Sequence, residues 1–309
     1  PNINMRRGTH QYLEDSRNEN VMIYINGEII SRPEAKISVF DSGFLLGDGV
    51  WEGIRLHNGK MVFLDKHLNR LYKGAEELAI TIGKTKDELK NLLNETILAN
   101  SMNDNVHIRL IVSRGLKKTP YQHPNANVGG ATIVIIPEYK IVNKEVLKHG
   151  IRLGTVSIQR GTKFNQNPQL NTLSKLNCIA ACIEADQLGF DEGLMLDIKG
   201  NVATCNSTNF FIVKGEEVWT STGEYCLPGV TRDNIIFLCK ENSIDICEKE
   251  FLVESVHNSD EAFVTGTFAG VIPVIEVDGH KISGGKKGKI TNCLQNLYSD
   301  LISTECGNE

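Results

Sequence analysis

The chain has 309 residues, enough for about two domains of ordinary size, and 40% of them are hydrophobic, enough to build real cores. Its net charge is −5 and its pI is near 6.0, which excludes nucleic acid and anionic membranes as expected partners. No apolar run approaches the roughly 20 residues that a membrane-spanning helix needs.

The first 20 residues are polar and lack the apolar core of a secretory signal. We interpret residues 1–20 as an N-terminal arm, which either packs on a partner subunit or is a loose terminus. All eight cysteines lie in the second half, without a CxxC pair or histidines at zinc-finger spacing. These features predict a reduced, cytoplasmic protein without a metal site. Cys178 and Cys182, one helical turn apart, are expected to be core residues.

Hairpin and helix signals alternate through residues 21–137. Asn26-Gly27 and Asn58-Gly59 favour the positive φ of tight turns and predict β-hairpins. Asp65 is a candidate N-cap. The apolar periodicity then predicts helices over 65–79 and 86–99 and strands over 106–113 and 131–137. This part is therefore predicted to be a small mixed α/β domain, followed by a polar linker over 138–150.

Residues 151–309 are predicted to form a larger α/β domain. Its expected elements are, in chain order, a strand at 151–158, a helix at 173–188, strands at 193–198, 209–213 and 216–220, a helix at 234–241, strands at 244–250, 261–265 and 271–277, and a helix at 287–302.

Two segments of the larger domain are candidate phosphate-binding turns. Gly229-Val230-Thr231 precedes a helix, whose first N–H groups and dipole favour an anion. Thr265-Gly266-Thr267 ends a strand and offers a glycine between two hydroxyls. A simple N-cap role for Thr231 and a turn role for Thr267 are the alternatives.

Six segments together carry a family resemblance. They are, in chain order, Asn26-Gly27-Glu28, Glu52-Gly53-Ile54-Arg55, His67-Leu68-Asn69-Arg70-Leu71, Leu227-Pro228-Gly229-Val230-Thr231-Arg232, Thr265-Gly266-Thr267 and Ile272-Pro273-Val274. This series resembles the class IV aminotransferases, the fold-type IV pyridoxal-phosphate enzymes, which include branched-chain and D-amino-acid aminotransferases, (R)-selective amine aminotransferases and aminodeoxychorismate lyase. The resemblance covers about residues 22–300. It implies a two-domain α+β fold of the D-amino-acid aminotransferase type, built as a homodimer.

The resemblance also implies pyridoxal 5′-phosphate (PLP) as the cofactor. By this resemblance, the residues that hold the cofactor phosphate are Arg55, Val230, Thr231, Gly266 and Thr267. Arg55 is notable on other grounds, because an arginine in an apolar strand is expected to meet an anion or a carboxylate.

The substrate implied by the resemblance is an amino acid, an amine or a keto acid. Arg114, Trp51 and Phe44 are candidates for contacts to it. Ser113-Arg114-Gly115 resembles the D-amino-acid and (R)-amine branch, whereas Glu52-Gly53-Ile54-Arg55 resembles the branched-chain branch. The stereochemistry of the substrate therefore stays open.

The reactive positions depart from the family pattern. The family's Schiff-base lysine, in a pattern like Pro-Gln-Val-Lys, falls on Asn171, and the glutamate that pairs with the pyridine nitrogen falls on Thr204. An amide cannot bond to the cofactor or carry its proton, and a hydroxyl cannot supply the charge of a carboxylate. Lys175, one turn along the predicted helix, is the candidate replacement for the lysine, and Lys163 is a weaker one.

Three functions follow from this pattern. The first is an aminotransferase-family enzyme that binds PLP, with catalysis impaired or moved to Lys175. The second is a PLP-independent enzyme that acts on an anionic or phosphorylated small molecule, with Asn171, Thr204, Cys205 and Arg114 as candidate active-site residues. The third is a non-catalytic binding or regulatory subunit. The complete phosphate site favours the first two.

Overall fold

A computed structural model of the chain describes residues 8–307. The chain divides into two compact units, which are described separately. The small unit contains Leu13–Ile141 and Leu170–Lys175, and the large unit contains the chain up to Tyr12, Val142–Gln169 and the chain from Leu176 onward. Residues 170–175, which we predicted to lie in the larger domain, therefore group with the small unit.

The small unit consists of short hairpins, one six-stranded sheet and three α-helices among its described residues. The strands, with β10 at the end of this unit, are β1 (Tyr12–Leu13), β2 (Met22–Ile25), β3 (Glu28–Ser31), β4 (Gly49–His57), β5 (Lys60–Met61), β6 (Val106–Ser113), β7 (Leu116–Lys117), β8 (Asn127–Val128), β9 (Thr132–Tyr139) and β10 (Ile141–Val142). The helices are α1 (Ser42–Leu46), α2 (Leu64–Glu77) and α3 (Lys86–Ala99). Short 3-10 helices cover Ser16–Asn20 and Pro124–Ala126.

The main sheet of the small unit has the order β3-β2-β9-β6-β4-β5 and its neighbouring strands are antiparallel. The longest pairings join β4 to β6 and β6 to β9, with Trp51 opposite Ile111. Apolar side chains of this sheet pack with those of α2 and α3, including the fully buried Ile54, Leu68 and Leu93. These contacts fix β4, which lies second from the edge of the sheet, beside the two-residue strand β5.

The large unit contains nine further strands and six α-helices within the described chain. The strands are β11 (Ile151–Thr155), β12 (Glu192–Leu196), β13 (Val202–Cys205), β14 (Asn209–Lys214), β15 (Glu217–Thr220), β16 (Ile246–Glu248), β17 (Glu261–Gly266), β18 (Gly270–Val277) and β19 (His280–Lys281). The helices are α4 (Lys144–His149), α5 (Lys163–Gln166), α6 (Leu176–Leu188), α7 (Val230–Glu241), α8 (Val253–His257) and α9 (Lys289–Glu305). A 3-10 helix covers Ser283–Gly285.

The sheet of the large unit has the order β13-β12-β11-β18-β17-β14-β15-β16, with β19 paired to β18. Its centre mixes parallel β11–β18 and antiparallel β17–β18 and β14–β17 pairs. Phe211 and Phe263 are cross-strand partners and stack with ring centroids 4.8 Å apart. These pairings place Asn209 opposite Thr265 at the end of the two strands.

Several local predictions were wrong. Asp65 is not the N-cap of α2, because the cap is Phe63 in the left-handed region at φ 54°. Helix α6 begins at Leu176 rather than at 173. Cys182 is exposed rather than a core residue. The predicted linker 138–150 contains strand β10 and helix α4.

Positions 1–7 of the predicted arm 1–20 lie outside the described residues. The described part, positions 8–20, packs on the chain itself. Asn18, for example, donates from Nδ2 to the carbonyl of Tyr139 and accepts from the N–H of the same residue. Within residues 8–307, no helix has both the length and the apolar character needed to cross a membrane.

Candidate functional site

Asn171 lies beside strand β4 of the small unit. The Trp51 N–H donates to the Asn171 carbonyl (3.0 Å), and the Leu173 N–H donates to the Gly49 carbonyl (2.9 Å). The Asn171 side chain adds a third bond, since its Nδ2 donates to the Trp51 carbonyl at 2.8 Å. These bonds hold residues 171–173 extended against β4, which is why α6 does not include them.

Lys175 reaches the side chain of Asn171 although the two residues do not share a helix. Its Nζ donates to Asn171 Oδ1 at 3.1 Å and lies 5.6 Å from the centroid of the Trp51 ring. The predicted geometry, one turn along a helix, was therefore wrong. The proximity of the two side-chain ends arises instead from the extended path of residues 171–174.

Arg109 is a site residue that the sequence analysis missed. It is exposed in the middle of β6, and its Cζ lies 4.1 Å from the centroid of the Trp51 ring on the neighbouring strand. The Trp51 ring thus has two cations close to it, Arg109 and Lys175. A charged residue within the apolar run of Val106–Ser113 was the available signal.

Arg55 is buried in β4, only 3% exposed, and its Nη1 donates to the carbonyl of Lys140 at 2.8 Å. Burial lowers the pKa of Arg55 to about 10. Burial also lowers the pKa of Lys140, and the nearby Arg109 and Arg55 add to that effect. These cations make this face of the small-unit sheet attractive to an anion, and the phosphate role of Arg55 stays a prediction.

A second arginine of the small unit, Arg70, forms a buried ion cluster. Its Nε and Nη2 donate to the two carboxylate oxygens of Glu52 at 2.8 and 2.7 Å, and His67 Nδ1 lies 2.7 Å from the same carboxylate. Burial acts to raise the pKa of Glu52, but Arg70 and His67 outweigh it and the pKa lies below its ordinary value. The cluster fixes α2 on β4.

Arg114 and Phe44, both predicted to contact the substrate, lie elsewhere in the small unit. The Arg114 guanidinium is paired with Asp48 (Nε to Oδ2, 2.6 Å) and also donates to the carbonyls of Leu78 and Ala79. Phe44 on α1 is 67% exposed. These contacts give Arg114 a structural role, and substrate contacts by either residue stay predictions.

The large unit holds the two predicted phosphate-binding turns. Helix α7 begins at Val230 after an extended Gly229 that forms no side-chain cap, so its first N–H groups point out of the helix end. Thr231 is therefore the second helical residue and not the N-cap. Its Oγ1 lies 3.3 Å from Tyr298 Oη, whose pKa is raised to about 12 by burial.

The second turn joins β17 to β18 at Gly266 and Thr267. Thr265, just before it, is 1% exposed, and its Oγ1 has no hydrogen-bond partner among residues 8–307. A buried hydroxyl without a partner is costly in a folded protein. Asn209, opposite Thr265, approaches the start of α7 so closely that a Cβ on Gly229 would lie 2.2 Å from its Oδ1. The Thr265 hydroxyl, the Asn209 side chain and the first N–H groups of α7, all uncharged, are thus close to one another at this end of β14 and β17.

Thr204, which by the resemblance is predicted to stand at the position of the family's glutamate, lies in β13 and is 5% exposed. Its Oγ1 donates to the Thr208 carbonyl at 2.8 Å. Cys205, its neighbour, is buried, and burial raises the pKa of its thiol well above the ordinary value. A neutral hydroxyl and a thiol that stays protonated therefore replace a carboxylate at this position.

Glu192 is a buried carboxyl close to this loop that the sequence analysis missed. Its Oε1 accepts hydrogen bonds from the N–H and Oγ of Ser207 and from Oγ1 of Thr208, at 2.7–2.9 Å. Its Oε2 has no partner among the described residues. Burial raises the pKa of Glu192 above its ordinary value. No sequence pattern distinguishes this glutamate from the chain's other carboxylates.

The chain resembles known proteins over most of its length. The family model described as amino-transferase class IV matches residues 49–277. A "branched-chain-amino-acid aminotransferase-like protein 2" from Arabidopsis thaliana is 37% identical over 92% of this chain, which spans only about half (51%) of that relative's length. A "putative branched-chain-amino-acid aminotransferase" from Methanocaldococcus jannaschii is 37% identical over 90% of this chain and 96% of its own length.

Solved structures agree in fold. The Escherichia coli branched-chain amino acid aminotransferase superposes with a TM-score of 0.86 at 27% identity, covering 93% of this chain and 96% of that one. The T.th. branched-chain amino acid aminotransferase, complexed with N-(5′-phosphopyridoxyl)-L-glutamate, has a TM-score of 0.84 at 26% identity, covering 94% and 95% of the two chains. The predicted fold-type IV class is confirmed, and the chain belongs to the class IV aminotransferase family.

Proposed function

We propose that this chain binds PLP and transfers amino groups between amino acids and keto acids, with Lys175 in the role of the family's lysine. One observation carries the proposal: Lys175 Nζ lies 3.1 Å from Asn171 Oδ1. A lysine side chain is two bonds longer than asparagine, so a lysine at position 171 would extend just past the Asn171 oxygen. Lys175 brings an amine to the same neighbourhood from four residues away.

The residues of the large unit fit the phosphate of this cofactor. The N–H groups at the start of α7, the hydroxyls of Thr231 and Thr267 and the unpartnered hydroxyl of Thr265 are donors for phosphate oxygens. For Arg55, in the small unit, contact with the cofactor phosphate stays a prediction of the family resemblance. When bound, the cofactor supplies an electron sink for the bonds at the substrate's α-carbon.

The remaining roles fall to residues around Trp51. In this proposal the amine of Lys175 takes up and returns a proton at Nζ, and Asn171 Oδ1 orients it by accepting a hydrogen bond. Asn171 is itself held by the Trp51 carbonyl. The Arg109 guanidinium is exposed above the Trp51 ring and suits a substrate carboxylate. Trp51 thus organises the amine, the amide and the guanidinium.

A PLP-independent reaction on an anionic small molecule is the second candidate function. It is favoured by Thr204, whose hydroxyl hydrogen goes to the Thr208 carbonyl. Since no carboxylate stands at position 204, a pyridine nitrogen there would not meet the negative charge that keeps it protonated. In this case the anion site would hold the phosphate of a substrate.

Titration of the chain with PLP, followed by absorbance and calorimetry, tests the proposed cofactor. The wild-type chain is expected to bind PLP saturably, and Thr231→Val and Thr267→Val are each expected to weaken binding about tenfold, the value of one hydrogen bond to a charged group. Thr222→Val, at an exposed position of the large unit, is the matched control. A wild-type chain that fails to bind PLP contradicts the proposal, and phosphate-ester binding without PLP binding favours the second candidate.

We also propose that the chain forms a homodimer through an apolar patch of the small unit. The patch comprises Val39, Phe40, Phe44, Leu116 and Val128, which are 42–67% exposed. Leu116 on β7 and Val128 on β8 are cross-strand partners. The Lys117 N–H donates to the Phe40 carbonyl, which joins β7 to the segment that contains Val39 and Phe40. An exposed apolar surface of this kind is typical of an association site.

Light scattering after size exclusion measures the mass directly. A dimer of the 34.3 kDa chain has a mass of 2 × 34.3 = 68.6 kDa. Leu116→Glu is expected to yield the monomer, because a charge in the patch would be buried without a partner. Leu98→Glu, at a 75% exposed position on α3, is expected to remain dimeric. A monomeric wild-type chain at micromolar concentration contradicts the dimer.

A further inference from the structure

The segment 8–12 is docked on the large unit. Thr9 is 6% exposed, and its Oγ1 lies 3.2 Å from Ser207 Oγ. The Gln11 N–H donates to the Gly8 carbonyl at 2.9 Å, which closes a turn around Thr9. A buried side chain with a hydrogen bond to a residue 198 positions away holds the segment in a defined place.

The anchor of this segment is a buried network. Ser207 donates to Glu192 Oε1 from both its N–H (2.9 Å) and its Oγ (2.7 Å), and Thr208 Oγ1 donates to the same oxygen at 2.9 Å. Because the one hydroxyl hydrogen of Ser207 goes to Glu192, its oxygen accepts the hydrogen bond from Thr9. Thr9 is therefore tied through Ser207 to a fully buried carboxyl.

The same network borders the turn at Gly266 and Thr267. The nearest atom to a Cβ built on Gly266 is Thr208 Cγ2, at 3.5 Å. On the other side of the turn, the His10 ring stacks on Phe268, with ring centroids 5.9 Å apart and an interplanar angle of 13°. Phe268 follows Thr267 directly. Thr9 and His10 thus reach residues on both flanks of this turn.

The turn and the first two residues of α7 offer neutral donors, the hydroxyls of Thr231, Thr265 and Thr267 and backbone N–H groups, and the guanidinium of Arg232, the third residue of the helix, is paired with Glu248. A phosphate monoester carries a charge of about −1.5 to −2 at pH 7. A histidine side chain gains a positive charge near neutral pH, and a neighbouring anion favours that charged form. His10, which stacks on Phe268, is a group of the large unit that can carry a positive charge next to this turn.

We infer that residues 8–12 are part of the anion site of the large unit and that His10 is a ligand of the bound phosphate group. This inference rests on the proposed function for the identity of the anion and extends it to a segment outside the family match at 49–277.

Calorimetric titration of the full chain with PLP, and separately with pyridoxal, tests this assignment. His10→Phe keeps a ring that stacks on Phe268 but cannot carry a charge. We expect this variant to bind PLP about tenfold more weakly, as for one lost bond to a charged group, and to bind pyridoxal unchanged. His123→Phe is the matched control, because His123 also stacks on a ring, that of Tyr121, at 6.3 Å and 14°.

Thr9→Val removes the anchoring hydrogen bond without changing the size of the side chain. It is expected to weaken PLP binding by a smaller factor, again without an effect on pyridoxal. Equal PLP affinities of wild type and His10→Phe, or equal losses for PLP and pyridoxal, overturn the inference while leaving the proposed function intact. A wild-type chain that binds neither compound overturns both. Thermal melting without ligand identifies variants that are merely unfolded.

Discussion

Two buried glutamates of this chain have opposite electrostatic surroundings. Glu52 lies between Arg70 and His67, and the charge of Arg70 together with the hydrogen bonds of both residues holds its pKa below the ordinary value against the effect of burial. Glu192 has hydroxyl and N–H donors on one oxygen and no partner on the other among residues 8–307, and burial raises its pKa. The first carboxyl is thus favoured as an anion, whereas the second is favoured in its neutral form.

The pH dependence of stability reports the state of Glu192. Its pKa is higher in the folded chain than the ordinary value of 4.5, so its contribution is complete below about pH 4.5 and is lost as the pH rises through the folded pKa. Glu192→Gln has no proton to lose. We therefore expect the free energy of unfolding of the variant, relative to wild type, to increase from pH 4.5 to pH 8 in urea denaturation.

Glu216→Gln, at an exposed position of the turn between β14 and β15, serves as the control and should follow the wild-type profile. Parallel pH profiles for Glu192→Gln and wild type would show that Glu192 is ionised in the folded chain.

For individual residues of the site, part of the arrangement could be predicted from the sequence and part could not. The prediction that Asn171 falls on the position of the family's lysine, and Thr204 on that of its glutamate, is visible in the sequence, because neighbouring motifs define both positions. The hydrogen bonds of Asn171 to Trp51 and Lys175 are not, since they join residues that are 120 and 4 positions away through the path of an extended segment. Glu192 could not be assigned from local pattern either, whereas Arg109 stands out as a charged residue within the apolar run of Val106–Ser113.

At the scale of elements, periodicity predicted most helices and strands, and hydrogen bonds to distant residues decided their ends. Residues 171–173 are held extended by β4, which shortens α6 at its start. The left-handed backbone of Phe63, rather than the side chain of Asp65, marks the start of α2. Propensity alone cannot predict such tertiary effects.

The contact of α2 with β4 depends on the ion cluster of Arg70. Arg70→Met removes both hydrogen bonds to the buried Glu52 and leaves His67 as its remaining partner in the cluster. A buried charge that loses its partner costs about 3–5 kcal/mol, and we expect chemical denaturation to show a loss of that size.

The control for this variant is Lys90→Met, which breaks the ion pair of Lys90 with Asp65 on the surface of the small unit (2.7 Å). Exposed pairs contribute about 0–1 kcal/mol, so a small effect is expected. If both variants lost the same small amount, the Glu52 cluster would not be what fixes α2 on the sheet.

At the scale of the whole molecule, the sequence predicted two domains but not which of them contains residues 170–175. The segments on either side of them, Val142–Gln169 and the chain from Leu176, belong to the large unit. Residues 170–175 nevertheless group with the small unit. Only a structure shows this, because the segment is too short for a pattern of its own. As a result Asn171, Lys175 and Trp51 belong to one compact unit and keep a fixed mutual geometry.

The central claim is that Lys175 replaces the family's lysine, and peptide mapping tests it most directly. The full chain is mixed with PLP, reduced with sodium borohydride, digested and analysed by mass spectrometry. We expect the stable cofactor modification on Lys175, its loss in Lys175→Met and its retention in Lys163→Met. Modification of Lys163 instead, or of no lysine in a chain that binds PLP, would contradict the claim.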